Sequence, residues 1–223
     1  MHKNSLKRMQ WFKDSFIGDV SGLHILDVGS MDVNGSYYDI FKESIYTGVD
    51  IESGNNVDVV LDNPYNWKNL AIDSFDVVIS GQAFEHTEFF WITISEMVRV
   101  LKKGGLLCII APQGFAEHRY PVDCYRFFTD GMVAMARYVN LNILHAHTNL
   151  SPVGENWFSK NSADSMLVAR KEYSGKTKII DLENYVCNVS NHESISYGLV
   201  PYKKTLIDKL KSVIWKLKIK LKK

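Results

Sequence analysis

Residues 23–50 read LHILDVGSMDVNGSYYDIFKESIYTGVD and contain two short apolar runs separated by a glycine-bearing turn and a polar stretch. The pattern continues along the chain, because five early runs rich in β-branched residues alternate with segments of helical character. These runs span residues 23–28, 45–49, 57–61, 75–80 and 106–111. Such alternation predicts βαβ units, in which parallel strands are covered by helices.

Helix and strand signals also occur later in the chain. Apolar residues recur at helical spacing over residues 88–101, and the sequence KKGG at residues 102–105 predicts the end of that helix. Thr129 is placed to cap another helix over residues 131–138. Two further runs predict a late pair of strands, at residues 141–147 and 166–170. We therefore expect an α/β fold: a Rossmann-like, doubly wound sheet of about seven strands, mostly parallel with a C-terminal antiparallel hairpin, and helices on both faces.

Charge is unevenly distributed along the 223 residues, whose net charge is +1. Residues 203–223 contain nine lysines and one acid, so the rest of the chain carries a net charge of −7. An acidic body disfavours nucleic acid as a partner, because phosphate backbones are bound by Lys and Arg. We expect one domain over residues 1–171, an extension of unassigned structure over residues 172–202, and a basic amphipathic helix over residues 203–223.

The sequence favours a cytoplasmic location. Its three cysteines show no CxxC spacing, which argues against a disulfide framework. The N-terminus lacks the apolar run of a signal peptide, and no stretch approaches the ~18 apolar residues of a transmembrane helix. The predicted C-terminal helix combines an apolar stripe with many lysines, which favours peripheral binding to an anionic membrane surface. Packing on a protein surface, an RNA-binding arm and a disordered end remain alternatives, and the oligomeric state is not predicted.

Ligands of open α/β sheets bind beyond the carboxyl ends of the strands. After the first run, Gly29 and Gly35 permit close approach of a ligand, and Asp50 follows the second run where an acid can bind ribose hydroxyls. Together these residues predict a nucleoside-containing cofactor. Asp27 and Asp32 would repel the phosphates of NAD, and the GxGxxG spacing is absent, whereas the cationic sulfonium and amino group of S-adenosylmethionine suit an acidic loop.

Six blocks lie within or just after the predicted strands and in the helix before the fifth run: LDVGS at 26–30, GVD at 48–50, LD at 61–62, FDVVIS at 75–80, FEH at 84–86 and EMVRVLKKGG at 96–105. Together they resemble class I S-adenosylmethionine-dependent methyltransferases, of the methyltransferase type 11-like kind. The resemblance covers about residues 20–150 and extends toward residue 171, which implies a class I methyltransferase domain over residues 1–171. The glycine loop departs from the family pattern, since the usual GxGxG is replaced by GSMDVNG at 29–35.

The resemblance implies a cofactor site assembled from several strand ends. The implied residues lie near the methionine part (Asp27, Gly29, Ser30), the ribose (Asp50), the adenine (Ile51, Asp62, Asn63) and the pocket floor (Gln82, Phe84). Asp50 and Asp62 could instead be surface turn residues, and Phe84 could belong to the core. Asn63-Pro64 resembles a motif of nucleic-acid amino-methyltransferases, but it follows the third run rather than the fourth, so we do not expect base methylation.

A hydroxyl acceptor needs a base, because its proton must leave as the new bond forms. Histidine supplies a base near neutral pH. His118, after the fifth run, is the first candidate, and His86, after the fourth run, is the alternate. His86 could equally have a capping or packing role. Cys124 would act as a nucleophile only in a different chemistry.

His118 lies in the sequence EHRYPVDCYRFFTDG at residues 117–131, which mixes charges with aromatic rings. A sugar or other polyhydroxy acceptor requires such a mixture. The segment resembles that of methyltransferases associated with bacterial surface-glycan gene clusters, and it supplies the candidate substrate residues Arg119, Tyr120, Asp123, Tyr125 and Arg126. Alternatively, Arg119 or Arg126 pairs with Asp123 and braces the loop, or Arg126 binds an anionic group of the acceptor.

We therefore expect O-methylation of a saccharide or related small molecule, free or lipid-linked, in surface-glycan biosynthesis. S-adenosylmethionine is the expected cofactor, with S-adenosylhomocysteine as product. N-methylation of a small amine and a non-catalytic binding module of the same fold remain alternatives, while an NAD-linked oxidoreductase is disfavoured. No metal site is expected, because the acids near the pocket are assigned to the cofactor.

Overall fold

The computed structural model describes residues 3–114, 116–148 and 163–181. Four α-helices and seven strands are found there, together with a π-helical turn at Lys13–Ile17 and a 3-10 turn at Phe84–His86. The helices are α1 (Lys3–Phe12), α2 (Tyr38–Phe41), α3 (Phe90–Val100) and α4 (Thr129–Tyr138). The strands are β1 (His24–Val28), β2 (Ile45–Asp50), β3 (Val59–Val60), β4 (Phe75–Gly81), β5 (Leu101–Gly114), β6 (Asn142–Thr148) and β7 (Ala163–Arg170).

All seven strands form one sheet in the order β3-β2-β1-β4-β5-β7-β6. The first five strands pair in parallel, and β7 pairs antiparallel with both β5 and β6. The predicted Rossmann-like sheet with a late antiparallel pair is therefore confirmed. The strand order reverses between β1 and β4, and this switch point is where doubly wound sheets bind their ligands.

Apolar side chains cover both faces of the sheet, which confirms the predicted layers. On one face α3 and α4 bury residues such as Met97 and Met132 against the strands. On the other face α1 and α2 bury Met9, Phe12 and Phe41. Because parallel strands are buried on both faces, their sequences read as nearly continuous apolar runs.

Three local predictions differ from the structure. The run predicted as the third strand forms only the two-residue strand β3. The segment KKGG at 102–105 follows the end of α3 as predicted, but it belongs to the long strand β5. Thr129 does not cap α4, because its hydroxyl is hydrogen-bonded to the Thr148 hydroxyl at 2.8 Å and no side chain caps that helix.

Helix α1 carries an unusual buried charge. Arg8 is only 2% exposed, although its helix lies at the start of the chain. Trp11 packs on His145 of β6 with ring centroids 5.0 Å apart, and the Ser5 and Tyr37 hydroxyls are hydrogen-bonded at 2.6 Å. The sequence pattern did not predict this helix.

The chain after β7 remains in contact with the sheet. The buried Lys171 ammonium donates to Asp73 and to the Leu101 carbonyl, both at 2.7 Å. The Tyr173 hydroxyl donates to the Val139 carbonyl at 2.7 Å. The remainder of the predicted extension and the predicted basic helix at 203–223 lie outside the described residues. Among the helices that are described, none has the length and apolar character needed to cross a membrane.

Candidate active site

The glycine loop after β1 packs closely against Ala83, which follows β4. Gly29 has φ +78°, a conformation that side chains rarely adopt, and a Cβ at this position would lie 2.5 Å from the Ala83 Cβ. The loop therefore approaches the segment that follows β4. Since Ala83 immediately precedes the 3-10 turn Phe84–His86, the predicted cofactor loop and His86 are neighbours in the fold.

Asp27, at the end of β1, is a buried carboxyl group beside this loop. It is 2% exposed, and its Oδ2 accepts a hydrogen bond from the Tyr46 hydroxyl. Its Oδ1 has no hydrogen-bond partner among the described residues. Burial raises the pKa of Asp27 to about 7, the Tyr46 hydrogen bond opposes the shift, and the Asp50 charge adds to it.

Asp50 ends β2 and faces the glycine loop, as the sequence predicted. Its carboxylate accepts hydrogen bonds from the backbone N–H groups of Met31 at 3.0 Å and Ile51 at 2.7 Å. Asp50 thus joins the ends of β1 and β2. Ile51 is 44% exposed at this edge, so its side chain is accessible to a flat apolar ring.

The other predicted cofactor residues have diverse surroundings. Ser30 donates its hydroxyl to the Asn56 carbonyl at 2.7 Å, which fixes the loop. Asp62 is exposed, and the Asn63 side chain accepts from the Tyr65 N–H at 2.8 Å, as expected for a turn. Both residues line a small cavity beside Trp67.

Gln82 and Phe84 follow β4 at the centre of the sheet. Gln82 has φ +61°, and its side-chain amide donates to Asp164 at 3.2 Å. Phe84 is 1% exposed and packs in the core, where its ring faces Phe127. The structure therefore places Phe84 in the core, which is the alternative that the sequence left open.

His86 and His118 come together although 32 positions separate them in the sequence. Their ring centroids lie 4.9 Å apart in an edge-to-face arrangement, and the exposed Tyr120 ring lies beside both. The Nδ1 atoms lie 2.6 Å from the Val122 carbonyl for His86 and 3.0 Å from the Ala116 carbonyl for His118. Because a carbonyl only accepts, each Nδ1 carries the hydrogen and each Nε2 carries the lone pair.

Glu85 belongs to the candidate site although the sequence did not single it out. It is 1% exposed, its Oε1 lies 3.7 Å from the His86 Nε2, and its Oε2 has no hydrogen-bond partner in the described part of the chain. Burial raises the pKa of Glu85 to about 8 and lowers that of His86. The signal in the sequence was an acid directly before a candidate histidine, but only the fold shows that this acid is buried.

The loop that carries His118 is braced by an ion pair. Arg126 donates to both carboxylate oxygens of Asp123, which also accepts from the His118 N–H at 2.7 Å. The Arg126 hydrogen bonds lower the pKa of Asp123. This is the bracing alternative considered for Arg126 from the sequence.

The other candidate substrate residues differ in how free their side chains are. Arg119 pairs with Glu117 at 3.0 Å on an exposed surface rather than with Asp123. Tyr120 is 66% exposed beside the two histidines. The Tyr125 hydroxyl donates to the Glu88 carbonyl at 2.9 Å, and its ring packs on Phe90. Tyr120 is therefore the residue of this set that is best placed to meet an acceptor.

Comparison with known proteins agrees with the resemblance to methyltransferases seen in the sequence. Residues 26–109 match a family model described as a methyltransferase domain. Sequence comparison with curated proteins finds no match to this chain. Many solved structures share the fold, among them a methyltransferase from Bacillus halodurans described as putative, at 12% identity and TM-score 0.57, covering 75% of this chain and 99% of that one.

Two further structures show how varied the chemistry on this fold is. One is the 1,6-didemethyltoxoflavin-N1-methyltransferase of Burkholderia thailandensis with bound S-adenosylhomocysteine, at 12% identity and TM-score 0.57, covering 76% of this chain and 79% of that one. The other is the cyclase SpnF, at 15% identity and TM-score 0.56, covering 74% and 80%. Since one fold supports both reactions, the fold alone does not set the chemistry.

The match over residues 26–109 to a methyltransferase domain, on a sheet of this topology, supports a methyltransferase fold with S-adenosylmethionine as the cofactor to test against the site. The residues present fit that cofactor. Asp27 offers a buried carboxylate oxygen to a cationic amino group, and Asp50 lies where an acid can accept from ribose hydroxyls. Because a Cβ at position 29 would clash with Ala83, glycine is required there, and this part of the loop carries no side chain.

Proposed function

We propose that the protein O-methylates a hydroxyl group of a saccharide or related small molecule in surface-glycan biosynthesis. The observation that carries the proposal is the pairing of His86, which follows β4, with His118, which follows β5, near the glycine loop. The segment's resemblance to methyltransferases of surface-glycan gene clusters also supports it. The bound cofactor would supply a methyl group on a positively charged sulfur.

The residues around the histidine pair suit a polyhydroxy acceptor. Tyr120 offers an exposed aromatic face, and aromatic rings cover the apolar faces of sugars. Arg119 and Glu117 add exposed charged groups that can bind hydroxyls. The Nε2 of His118 or His86 would accept the acceptor's proton, because the Nδ1 of each ring is already committed to a backbone carbonyl.

The test is methyl transfer to a panel of nucleotide-linked and lipid-linked sugars, followed by mass spectrometry of the products. We expect one methylated sugar and an equal amount of S-adenosylhomocysteine. His118→Ala should lower kcat by about 100- to 10,000-fold, which is the usual contribution of a general base. His24→Ala is the matched control, because that side chain is exposed at the start of β1 and should leave turnover unchanged.

Two results would contradict the proposal. Full activity of His118→Ala would favour an amine acceptor, which needs little help from a base. Failure to methylate any sugar of the panel, combined with methylation of a small amine, would replace saccharide O-methylation with N-methylation.

A further inference from the structure

Glu85, His86 and His118 form a cluster whose geometry exceeds what a pair of bases requires. One nitrogen or oxygen from each residue lies within 4.8 Å of the others. Ligands bound tetrahedrally at 2.0–2.1 Å from a zinc ion would be about 3.3 Å apart. The Glu85 Oε1 and the His86 Nε2 already lie 3.7 Å apart, and no pair of ligand atoms would have to approach by more than about 1.5 Å to reach this spacing.

The hydrogen bonds of both rings have the pattern found around metal ligands. A ligating histidine usually donates its second N–H to a backbone carbonyl or a carboxylate, which fixes the tautomer and the ring orientation. His86 donates from Nδ1 to the Val122 carbonyl, and His118 donates from Nδ1 to the Ala116 carbonyl. In both rings Nε2 is therefore the atom with a lone pair to offer.

Glu85 supplies an independent indication of a missing cation. It is a carboxylic acid at 1% exposure, and one of its oxygens has no hydrogen-bond partner within the described ranges. Burying a polar oxygen without a partner costs free energy. A divalent ion bound by the Glu85 carboxylate would offset the cost of burying it and would favour the ionised form of the acid.

The surrounding charges are compatible with a cation. The positive charge of Arg126 acts on both Glu85 and His86, and its guanidinium is paired with both oxygens of Asp123. The Asp123 Oδ2 also lies 3.7 Å from the His118 Nδ1, so a carboxylate stands behind this ligand. Such an outer carboxylate increases the basicity of a metal-bound imidazole.

We propose that Glu85, His86 and His118 bind one divalent transition-metal ion, Zn²⁺ being the first candidate, beside the acceptor. Two histidines and one glutamate leave a fourth position open, as in catalytic zinc sites. His118 is partly exposed and Tyr120 largely exposed, so this position is open to a ligand from solution. The site departs from the expectation, drawn from the sequence, that no metal is bound.

The role of the ion in catalysis rests on the proposed function, whereas its binding does not. A hydroxyl group bound to the ion loses its proton to solvent more readily, because the ion stabilises the alkoxide. The alkoxide oxygen then forms a bond to the methyl carbon. The bond from that carbon to sulfur breaks, and its electron pair stays on the sulfur of S-adenosylhomocysteine. While the ion is bound, both histidines act as ligands rather than as bases.

The test is calorimetric titration of the metal-free, full-length protein with Zn²⁺, without cofactor or acceptor. We expect one tight site per chain, and Co²⁺ at that site should show the visible absorption of tetrahedral coordination. His118→Ala should weaken Zn²⁺ binding by at least about 100-fold, since loss of a ligand exceeds the 10- to 100-fold effect of an outer-sphere change. His24→Ala should bind Zn²⁺ like the wild type.

Equal Zn²⁺ binding by wild type and His118→Ala would overturn the proposal, as would the absence of a micromolar site in the wild type. His118 lies on a loop and is partly exposed, so its variant should fold, and thermal unfolding verifies this. Glu85→Gln keeps the size of the side chain and should also weaken Zn²⁺ binding. The Zn²⁺ titration contains no acceptor, so its result does not depend on the methylation assay. A Zn²⁺ site without methylation of sugars would refute only the proposed function. Methylation of sugars without a Zn²⁺ site would refute only this inference.

Discussion

Two pairs of histidines in this protein have opposite environments. His86 and His118 lie in loops near the carboxyl ends of β4 and β5, beside Glu85 and Asp123. His145 and His147 lie on β6, stacked at 6.0 Å between ring centroids and buried beneath α1. Carboxylates lie next to the first pair, whereas the positive charge of Arg8 lowers the pKa of both histidines of the second pair.

Burial is the main cause that lowers the pKa of both His145 and His147 to about 4; the His147 charge contributes to the shift of His145, and the Arg8 charge contributes to both. These two rings are therefore neutral near physiological pH and act as packing residues. The difference between the pairs teaches that the neighbouring charges and the access to solvent, rather than the residue type, decide whether a histidine is available for chemistry.

The largest effect should come from removing the buried pair. His145→Ala combined with His147→Ala leaves a cavity against Trp11 and should lower the free energy of unfolding by about 4 kcal/mol. Turnover per folded molecule should stay at the wild-type value, as measured below the melting temperature. His118→Ala should show the reverse pattern, with turnover lowered and stability retained. Loss of turnover in the double variant of β6 would contradict the comparison between the two pairs.

Acid should destabilise the protein through the same pair. The folded-state pKa of about 4 lies below the unfolded value of 6.5, so the unfolded chain binds more protons between these pH values. Stability should therefore fall as the pH decreases from 6.5 to 4, by on the order of 3 kcal/mol per histidine at most. Urea unfolding at pH 7 and pH 5 measures this loss, and the double alanine variant should show a smaller one.

Asp27 extends the comparison to a carboxyl group, since burial shifts its pKa to about 7. Only its ionised form attracts a cationic amino group, so the affinity for S-adenosylhomocysteine should rise about tenfold between pH 6 and pH 8. Calorimetry at several pH values tests this. Tyr46→Phe removes the hydrogen bond that opposes the shift, and the midpoint of the pH dependence should then move upward.

The smallest effect concerns the brace beside the first pair. Lysine cannot reproduce the double hydrogen bond of Arg126 to Asp123, so Arg126→Lys should loosen the loop and raise KM for the acceptor about threefold. Lys102→Arg is the control, because its partly exposed ion pair with Asp76 lies at the start of β5, away from His118, and should contribute little. Equal KM values for the two variants would show that the brace does not position His118.

The sequence predicted the sheet well because its signals are local. A short apolar run predicts each strand, and the alternation of these runs with helices predicts that neighbouring strands are parallel. Helix α1 has no comparable signal, since a buried arginine and a serine interrupt its apolar face. The stacked pair on β6 was also not singled out, because its burial depends on α1 packing across the sheet.

The candidate site was predicted in part for a similar reason. Asp50 and Gly29 follow from their positions after strands, and both lie at the expected edge of the sheet. The partners of Asp27 and Glu85 could not be predicted, because they depend on strand register and on a loop that folds back from residue 118. Pairing of Arg126 with Asp123 was foreseen as an alternative, since their spacing of three residues allows it.

The docking of α1 has a consequence for the order in which the protein is completed on the ribosome. Its side chains pack on β5 and β7, and Trp11 contacts His145, which is synthesised more than a hundred residues later. Contacts of such long sequence separation form late, because a long loop must close first. Helix α1 must therefore wait for strands that are synthesised much later. Until then the apolar side chains Met9 and Phe12 stay uncovered, and a chaperone that binds nascent chains would find its target there.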